Sequence, residues 1–517
     1  MEDYFQLEYS SFLRKYFKLD RSDEILRNIG NAANYVEIKT FHSYCFDLLG
    51  KVGTIEKSTD VIREAIHRIE NGEVEASGVT KLVLVIDEAQ DMDKNEAELI
   101  QILIQKNPEM RVIAVGDDDQ NIYSFRGSDS GYMRKLLDRE NARLYELIDN
   151  YRSKSNLVQF ANVFAGEIGN RLKHQPIMPV QGDSGQIRII QYLHGRFLLP
   201  AVNELVSNGI YGSTGILTLT NEEALLAAAI LKKNGIQARM IKSNEGFELD
   251  HMVEIRYFIQ ELHLSRETYI IQEDAWSFAI KQLKLQYAES KNLEMCLLLL
   301  KTFEEISNNH KYISDFIEFI KESREEDFYE RDQGFVTVAT IHKAKGMEFD
   351  HVVILLNNFY LHTDEAKRQL YVGITRAKKS LTIHYNNDYF SVQRNYRFRM
   401  VEKLQYINDN SDYEASNCIV KQLRHKDIFL SYFYKLRKAV EHLKSGDKLL
   451  LDDAGCLDGE GNRVMYFSKQ FQGDLQKMKQ KGYQPVNACV DYILYWEEDG
   501  KGEEVQIVLP ILEFERD

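Results

Sequence analysis

Three stretches predict an α/β architecture. Leu82–Ile86 is a short unbroken apolar run rich in Val and Ile, followed by about twenty residues of helical pattern. Arg111–Val115 repeats the run. Val336–Leu356 (VTVATIHKAKGMEFDHVVILL) sets two further apolar, β-rich runs around a polar turn. Runs of this kind suit parallel strands buried on both faces. Ligands of such sheets bind at the carboxyl edge of the strands.

Polar residues follow the first two runs closely. Asp87, Glu88, Gln90 and Asp91 come directly after the first, and Gly116-Asp117-Asp118-Asp119-Gln120 after the second. Two neighbouring strands would thus bring carboxylates and a Gln to one rim. Nucleoside triphosphate hydrolysis wants this set. Asp87 can hold Mg²⁺, which takes few protein carboxylates alongside phosphate oxygens. Glu88 can orient and deprotonate the attacking water, and Gln120 can sense the γ-phosphate. Phosphoryl transfer depends mostly on positioning and charge stabilisation, so a few groups suffice. The plainer reading of Asp-Glu alone is a solvated βα loop.

DEAQD followed by GDDDQNIYSFRGS resembles motifs II and III of the UvrD/Rep/PcrA-like superfamily 1A DNA helicases, and further motifs follow in that family's order across residues 36–385. The resemblance implies two RecA-like P-loop NTPase-type domains, ATP and Mg²⁺ as cofactors, and 3′-to-5′ movement on single-stranded DNA or single/double-strand junctions in repair or recombination. It also implies roles for individual residues. VEIKTFHS at 36–43 resembles motif Ib and reads as a strand ending in a polar turn, with Thr40 and His42 on DNA phosphates. Tyr123, Phe125 and Arg126 follow motif III. An aromatic beside an Arg is what single-strand binders use for stacking and backbone attraction, and Phe125 stands where relatives stack an aromatic on a base. LIDNYRS at 147–153 resembles motif IV, with Tyr151 on adenine and Arg152 on the γ-phosphate. The planar guanidinium fork stays charged and meets phosphate oxygens in pairs. In the motif V resemblance, Thr340, His342 and Lys345 grip DNA and couple it to the nucleotide. Gly346 there allows close backbone approach, and Glu348 touches ribose or nucleotide. KRQLYVGITRAKKSL at 367–381 resembles motif VI and supplies Arg376, a second arginine for the γ-phosphate.

One family element has no counterpart. No G-x-x-x-x-G-K-[ST] occurs in the 517 residues. That loop wraps backbone N–H groups round the β-phosphate and adds a Lys and a Mg²⁺ ligand. The expected fold is therefore a first RecA-like domain lacking its phosphate-loop strand. Arg111–Val115 would then carry an unpaired edge, a liability proteins normally cover. Residues 1–34 or an upstream partner polypeptide would cover it. Activity of the isolated chain is expected to be weak, because the absent loop supplies much of the charge stabilisation. The alternative is a catalytically inactive DNA-binding or scaffolding subunit that docks on another chain.

In chain order, the pattern gives a helical segment over 1–35 and the incomplete first domain over 36–153. The second domain begins at 154–249, with strands at Gln186–Tyr192 and Gly215–Thr220 and a helix from Glu222 to Asn234 stopped by Gly235. A charged helical insertion covers 250–332, and 333–390 completes the second domain. A helical linker over 391–445 leads to a small β-rich module over 446–517, where alternation, turns and aromatics dominate. Glu497, Glu498, Asp499, Glu503 and Glu504 give that module an acidic, docking character.

The bulk numbers set outer bounds. A net charge of −15 excludes a broadly basic surface, although a local groove of Lys and Arg is enough for nucleic acid. Cys45, Cys296, Cys418, Cys456 and Cys489 form no CxxC pair, which points to reduced thiols rather than zinc or a disulfide framework. The N-terminus lacks a signal-peptide pattern and no apolar run approaches a membrane span, so a cytoplasmic location is expected.

Overall fold

The computed structural model describes residues 39–49, 61–242, 246–264, 270–307, 311–328, 336–390, 396–498 and 502–516. The helix predicted within 1–34, the strand predicted at 36–38 and acidic Asp499 lie outside them. The chain forms two compact units. One contains the described residues within Met1–Leu219, Gln237–Arg239 and Gln333–Tyr413, and the other those within Thr220–Ile236, Met240–Asp332 and Glu414–Asp517.

In the first unit, β1 (Val83–Ile86) and β2 (Arg111–Ala114) pair directly and in parallel, Val83 opposite Arg111 and Ile86 opposite Ala114. The intervening helix Lys94–Lys106 starts at a reciprocal cap between Asp93 and Glu96, which satisfies two otherwise orphaned N–H groups. Its apolar residues point two ways. Ile100 and Ile104 pack with Ile86, Ala89 and Met92 beneath the strands. Leu99, Ile102 and Leu103 pack with Cys45, Leu49, Val61, Ala65 and Ile69 of the helices Phe41–Leu49 and Val61–Asn71.

Burial on both faces, expected for these strands, is corrected by the structure. Leu84, Val112 and Ala114 face the helix side. Val85, Ile113 and Val115, on the opposite face, are 53%, 47% and 43% exposed. A strand's side chains alternate between faces, so one layer of helices covers only every second residue. The apolar run reflects a sheet of which this two-stranded piece, among the described residues, has one face covered. The expected strand end at Thr40–Ser43 is also corrected, since Phe41–Leu49 is helical.

The large sheet has seven strands. In chain order they are β3 (Gln186–Tyr192), β4 (Thr214–Thr218), β5 (Ala238–Met240), β6 (Val336–Thr340), β7 (Phe349–Leu356), β8 (Ala377–Tyr385) and β9 (Leu404–Asp409). Their order across the sheet is β9-β3-β8-β7-β4-β6-β5. The pairs β6–β4, β7–β4, β7–β8, β8–β3 and β9–β3 are all parallel. β4 is buried at every position and its Ile216 and Leu217 are fully enclosed, as a central strand between helical layers requires. Strand β9 lies in the segment expected as a helical linker. None of its residues is fully buried, and Gln405 and Asn408 are exposed, so it lacks the apolar run that identified the central strands.

The second unit joins segments far apart in sequence. Helices Val253–Glu261, Glu273–Gln286, Leu293–Ile306 and Ile313–Glu322 surround buried Trp276, whose ring meets Phe258 at 4.9 Å and Phe316 at 5.2 Å. β10 (Cys418–Gln422) and the long hairpin β14 (Gln484–Glu497) and β15 (Glu504–Glu515) form an antiparallel sheet. β11 (Leu450–Leu451), β12 (Gly455–Leu457) and β13 (Arg463–Tyr466) form another. A bridge from Met252 to Leu494 ties the helical insertion to the hairpin. Asp491 is buried and accepts hydrogen bonds from Lys242 and from Gln422. The insertion and the C-terminal strands therefore share one core. Strand β10 also falls within the expected helical linker. The acidic residues read as a docking surface are partly engaged inside the unit: Glu503 pairs with Arg437 at 2.6 Å and Glu504 with Arg256 at 2.9 Å.

Candidate functional site

The site lies within the first unit. Asp87 and Glu88 follow β1 directly, at its carboxyl end. Glu88 has φ 48° and ψ 41°, a left-handed backbone that costs a non-glycine residue about 1 kcal/mol or more. Buried Gln90 holds it there. The Gln90 amide donates to Glu88 Oε2, and Gln90 Oε1 accepts from the Asp117 N–H at 2.9 Å. One side chain thus joins the turn after β1 to the turn after β2. Gly116 makes room for it, because a Cβ there would sit 2.5 Å from Gln90 Oε1. Sequence reasoning placed Gln90 at the rim without a role and gave Gly116 none.

Asp87 Oδ1 accepts the Glu88 N–H at 3.0 Å, which leaves Oδ2 for a cation. Burial first, and the neighbouring Glu88 second, raise the Asp87 carboxyl to about 6. A half-buried carboxylate held above its ordinary range is one that a divalent ion would stabilise, so Asp87 fits Mg²⁺. The Asp117-Asp118-Asp119 triplet does not offer the same vacancy, although its carboxylates lie within 4.8 Å of one another. Arg171 grips Asp119 with both Nε and Nη2, Lys173 bridges Asp117 and Asp119, and the Leu172 N–H meets Asp118. Burial raises the Asp119 carboxyl, but these cations outweigh it and hold the group below its usual range.

Arg376 comes from the other end of the unit. It immediately precedes β8, and its C=O accepts the N–H of Phe349 at the start of β7. Its guanidinium is 2% exposed. Nε donates to Val372 O, Nη1 to Met347 O, and Nη2 to Gln120 Oε1 at 2.9 Å and to Thr375 Oγ1. All four of these acceptors are neutral. Burial, then Arg152, lower its pKa to about 10, opposed by Glu348, Glu88 and Asp117. These charges therefore lie within electrostatic reach of Arg376. Arg152 pairs with Glu348 at 2.6 Å, and Lys378 meets the same carboxylate at 3.0 Å. Its segment is tied to β8 by Ser153 Oγ donating to Ala377 O and by the Lys154 N–H donating to Lys378 O. Tyr151 beside it is 72% exposed, its ring open to a stacking partner.

The expected DNA residues form a second group. Phe125, 65% exposed, lies 5.8 Å from the His342 ring and 6.1 Å from the Tyr123 ring. Arg126 sits over Tyr123 and Phe125 at 5.2 and 5.4 Å. Lys345 Nζ lies 4.8 Å above the Tyr123 ring and pairs with Asp91 at 2.5 Å. Burial raises Asp91 to about 6 despite that lysine. Asp91 follows β1 by five residues, so this ion pair joins the turn after β1 to the loop after β6.

Topology explains how one loop reaches both groups. β6 and β7 are both parallel to β4, so Thr340 ends at the carboxyl edge while Glu348, just before β7, stands at the amino edge. Residues 341–347 cross the sheet between them. Gly346, expected to permit close approach, has open space around its Cβ position and instead has φ +80°. Its role is the left-handed turn of that crossing. Thr40 precedes the helix Phe41–Leu49 and His42 lies in its first turn, where burial lowers the imidazole pKa against the pull of Asp93.

A large parallel sheet, with acids after two short strands and arginines at the edge of a second set, makes this a mixed α/β protein and is consistent with a helicase fold. Family comparison narrows the class. Residues 78–141 match the UvrD/REP helicase N-terminal domain and residues 260–388 the UvrD-like helicase C-terminal domain. Both matches are to domains of UvrD-like helicases. Similar proteins include the putative ATP-dependent DNA helicase YjcD of Bacillus subtilis, 24% identical over 58% of this chain and 51% of that one. Gabija protein GajB of Bacillus cereus is 23% identical over 60% of this chain and 64% of that one. DNA helicase II of Haemophilus influenzae is 23% identical over 58% and 55%. The chain spans about half to two thirds of the length of these relatives.

Proposed function

We propose that this chain is the part of an ATP-dependent DNA helicase that couples nucleotide turnover to 3′-to-5′ movement on single-stranded DNA, in repair or recombination. The observation that carries the reading is buried Arg376, hydrogen-bonded to Gln120 and within electrostatic reach of Glu88, Asp117, Arg152 and Glu348. A buried guanidinium with neutral acceptors gains most from an anion, and a γ-phosphate supplies one. Mg²⁺ on Asp87 would neutralise phosphate charge. Glu88, fixed by Gln90, would take the proton of the attacking water. Arg376 and Arg152 would contact the γ-phosphate, Arg152 exchanging Glu348 for it, and Tyr151 would stack on the adenine. Thr340, His342, Lys345, Tyr123, Phe125 and Arg126 would hold DNA, with Thr40 and His42 on its phosphates.

The exposed face of β1 and β2 supports a further part of the reading. Val85, Ile113 and Val115 are where a segment carrying a phosphate loop, including one on a partner polypeptide, would pack.

DNA-stimulated ATP hydrolysis by the purified chain tests the reading. Glu88→Gln is expected to lower turnover about a hundred-fold or more, the scale of a lost general base. Equal turnover in parent and variant would refute the assignment. No turnover in either, with DNA binding retained, would favour a DNA-binding or scaffolding subunit.

A further inference from the structure

The second unit carries an aromatic and cationic surface that none of the helicase motifs accounts for. Phe429 is 51% exposed, although it sits in a firmly held stretch. Ile428 bridges to Phe467, the Phe429 N–H donates to Tyr466 O at 2.8 Å, and the Tyr432 N–H donates back to Phe429 O. An apolar ring kept in solvent by a rigid backbone is presented rather than merely uncovered. Tyr432 lies 6.1 Å from Phe429, and Tyr466 meets Tyr432 edge-on at 4.5 Å. Lys435 Nζ stands 5.3 Å over the Tyr432 ring and Arg463 5.0 Å over Tyr466.

Charge indicates what this surface takes. Over residues 421–440 the chain carries Lys421, Arg424, Lys426, Lys435, Arg437 and Lys438 against one acid, Asp427, in a protein whose net charge is −15. Arg437 is matched by Glu503 and Arg463 by Asp452. Lys426, Lys435 and Lys438 are exposed and enter no ion pair among the described residues. Rings open to stacking beside unmatched cations suit a chain of bases and phosphates better than an apolar protein face. The group also resembles in kind the Tyr123, Phe125 and Arg126 cluster of the first unit.

We propose that this surface is a second binding site for single-stranded nucleic acid, with a base stacked on Phe429 and phosphates on Lys426, Lys435 and Lys438. Tyr432 and Tyr466 back the platform and fix its orientation. The inference rests on the reading that the chain works on DNA, and adds a contact outside the motor motifs.

The test uses the full chain and a labelled oligo(dT), read by fluorescence anisotropy at low salt, with a 4-thiothymidine version for photocrosslinking and peptide mapping. Phe429→Ala is expected to weaken binding about ten-fold, the scale of one lost base stack, while Phe429→Trp retains it. Lys435→Glu with Lys438→Glu should lower the salt dependence by about one to two in the slope of log affinity against log salt. The crosslinked peptide should include Phe429. The lysine variants carry the test should Phe429→Ala prove unstable to heating. If the Phe429 and lysine variants bind like the parent while Phe125→Ala weakens binding, this site is refuted and the DNA track stands. If crosslinks map only to the first unit, the result is the same. A parent chain that binds no oligonucleotide refutes both.

Discussion

At the residue scale, small spatial demands decide whether the acids are usable. Gln90 reaches both Glu88 and Asp117 only because position 116 has no Cβ. Gly116→Ala is expected to cost about 1–3 kcal/mol of stability through overpacking. Turnover should fall further than that loss explains, because Glu88 loses its tether. Thermal melting and ATPase assays on one preparation separate the two effects. Asp87, at about 6, gives a pH signature: protons and Mg²⁺ compete for it, so Mg²⁺-dependent nucleotide affinity should fall as pH drops through about 6. Calorimetric titration at several pH values would read this.

Glu254, in the second unit, gives the opposite kind of test. It is 1% exposed, its Oε1 accepts from Ser290 Oγ at 2.7 Å, and its Oε2 has no partner. Burial raises its pKa, against the Ser290 bond. A carboxyl raised in the folded state stabilises below its unfolded pKa, and that stability is lost as pH rises through the folded value. Glu254→Gln should therefore melt higher than the parent at pH 8. The difference should close as pH approaches about 4, the unfolded carboxylate range. A constant difference across pH would refute the buried charge.

At the element scale, the crossing loop between β6 and β7 is the part that links the two groups of the site. It carries Thr340, His342 and Lys345 at one end and Glu348 at the other. Lys345→Met is expected to leave oligonucleotide binding within about ten-fold while uncoupling DNA from ATPase stimulation, because the Lys345–Asp91 pair joins the two turns. Unchanged stimulation would show that coupling runs elsewhere. The helix Lys94–Lys106 sets the height of β1, and its reciprocal cap is a local lever. Asp93→Ala should lower stability by about 1 kcal/mol.

At the scale of the whole molecule, the first unit holds the candidate site and the second unit gathers the insertion with the C-terminal strands. Val85, Ile113 and Val115 leave one face of the β1–β2 pair apolar and exposed. Val85→Thr with Ile113→Thr is expected to reduce self-association and dye binding of the purified chain while leaving DNA affinity unchanged, measured by light scattering and anisotropy. Among the described residues, no helix is long and apolar enough to cross a membrane.

Sequence by itself determined the UvrD-like motifs, the parallel strands and the residues at their ends. Unbroken Val/Ile runs specify buried strands, and acids or arginines directly after them stand out against that background. It gave equal weight to β1 and β2 on both faces, because a run of apolar residues carries no information on how many layers cover it. It put β9 and β10 in a helical linker, because β9 is nowhere fully buried and β10 is only five residues long, so neither shows a clean strand pattern. Only the tertiary structure decided that Arg376 meets Gln120, that Gln90 joins two turns, and that the insertion shares a core with the tail. Those facts depend on contacts between residues up to 256 positions apart, and no local spacing encodes them.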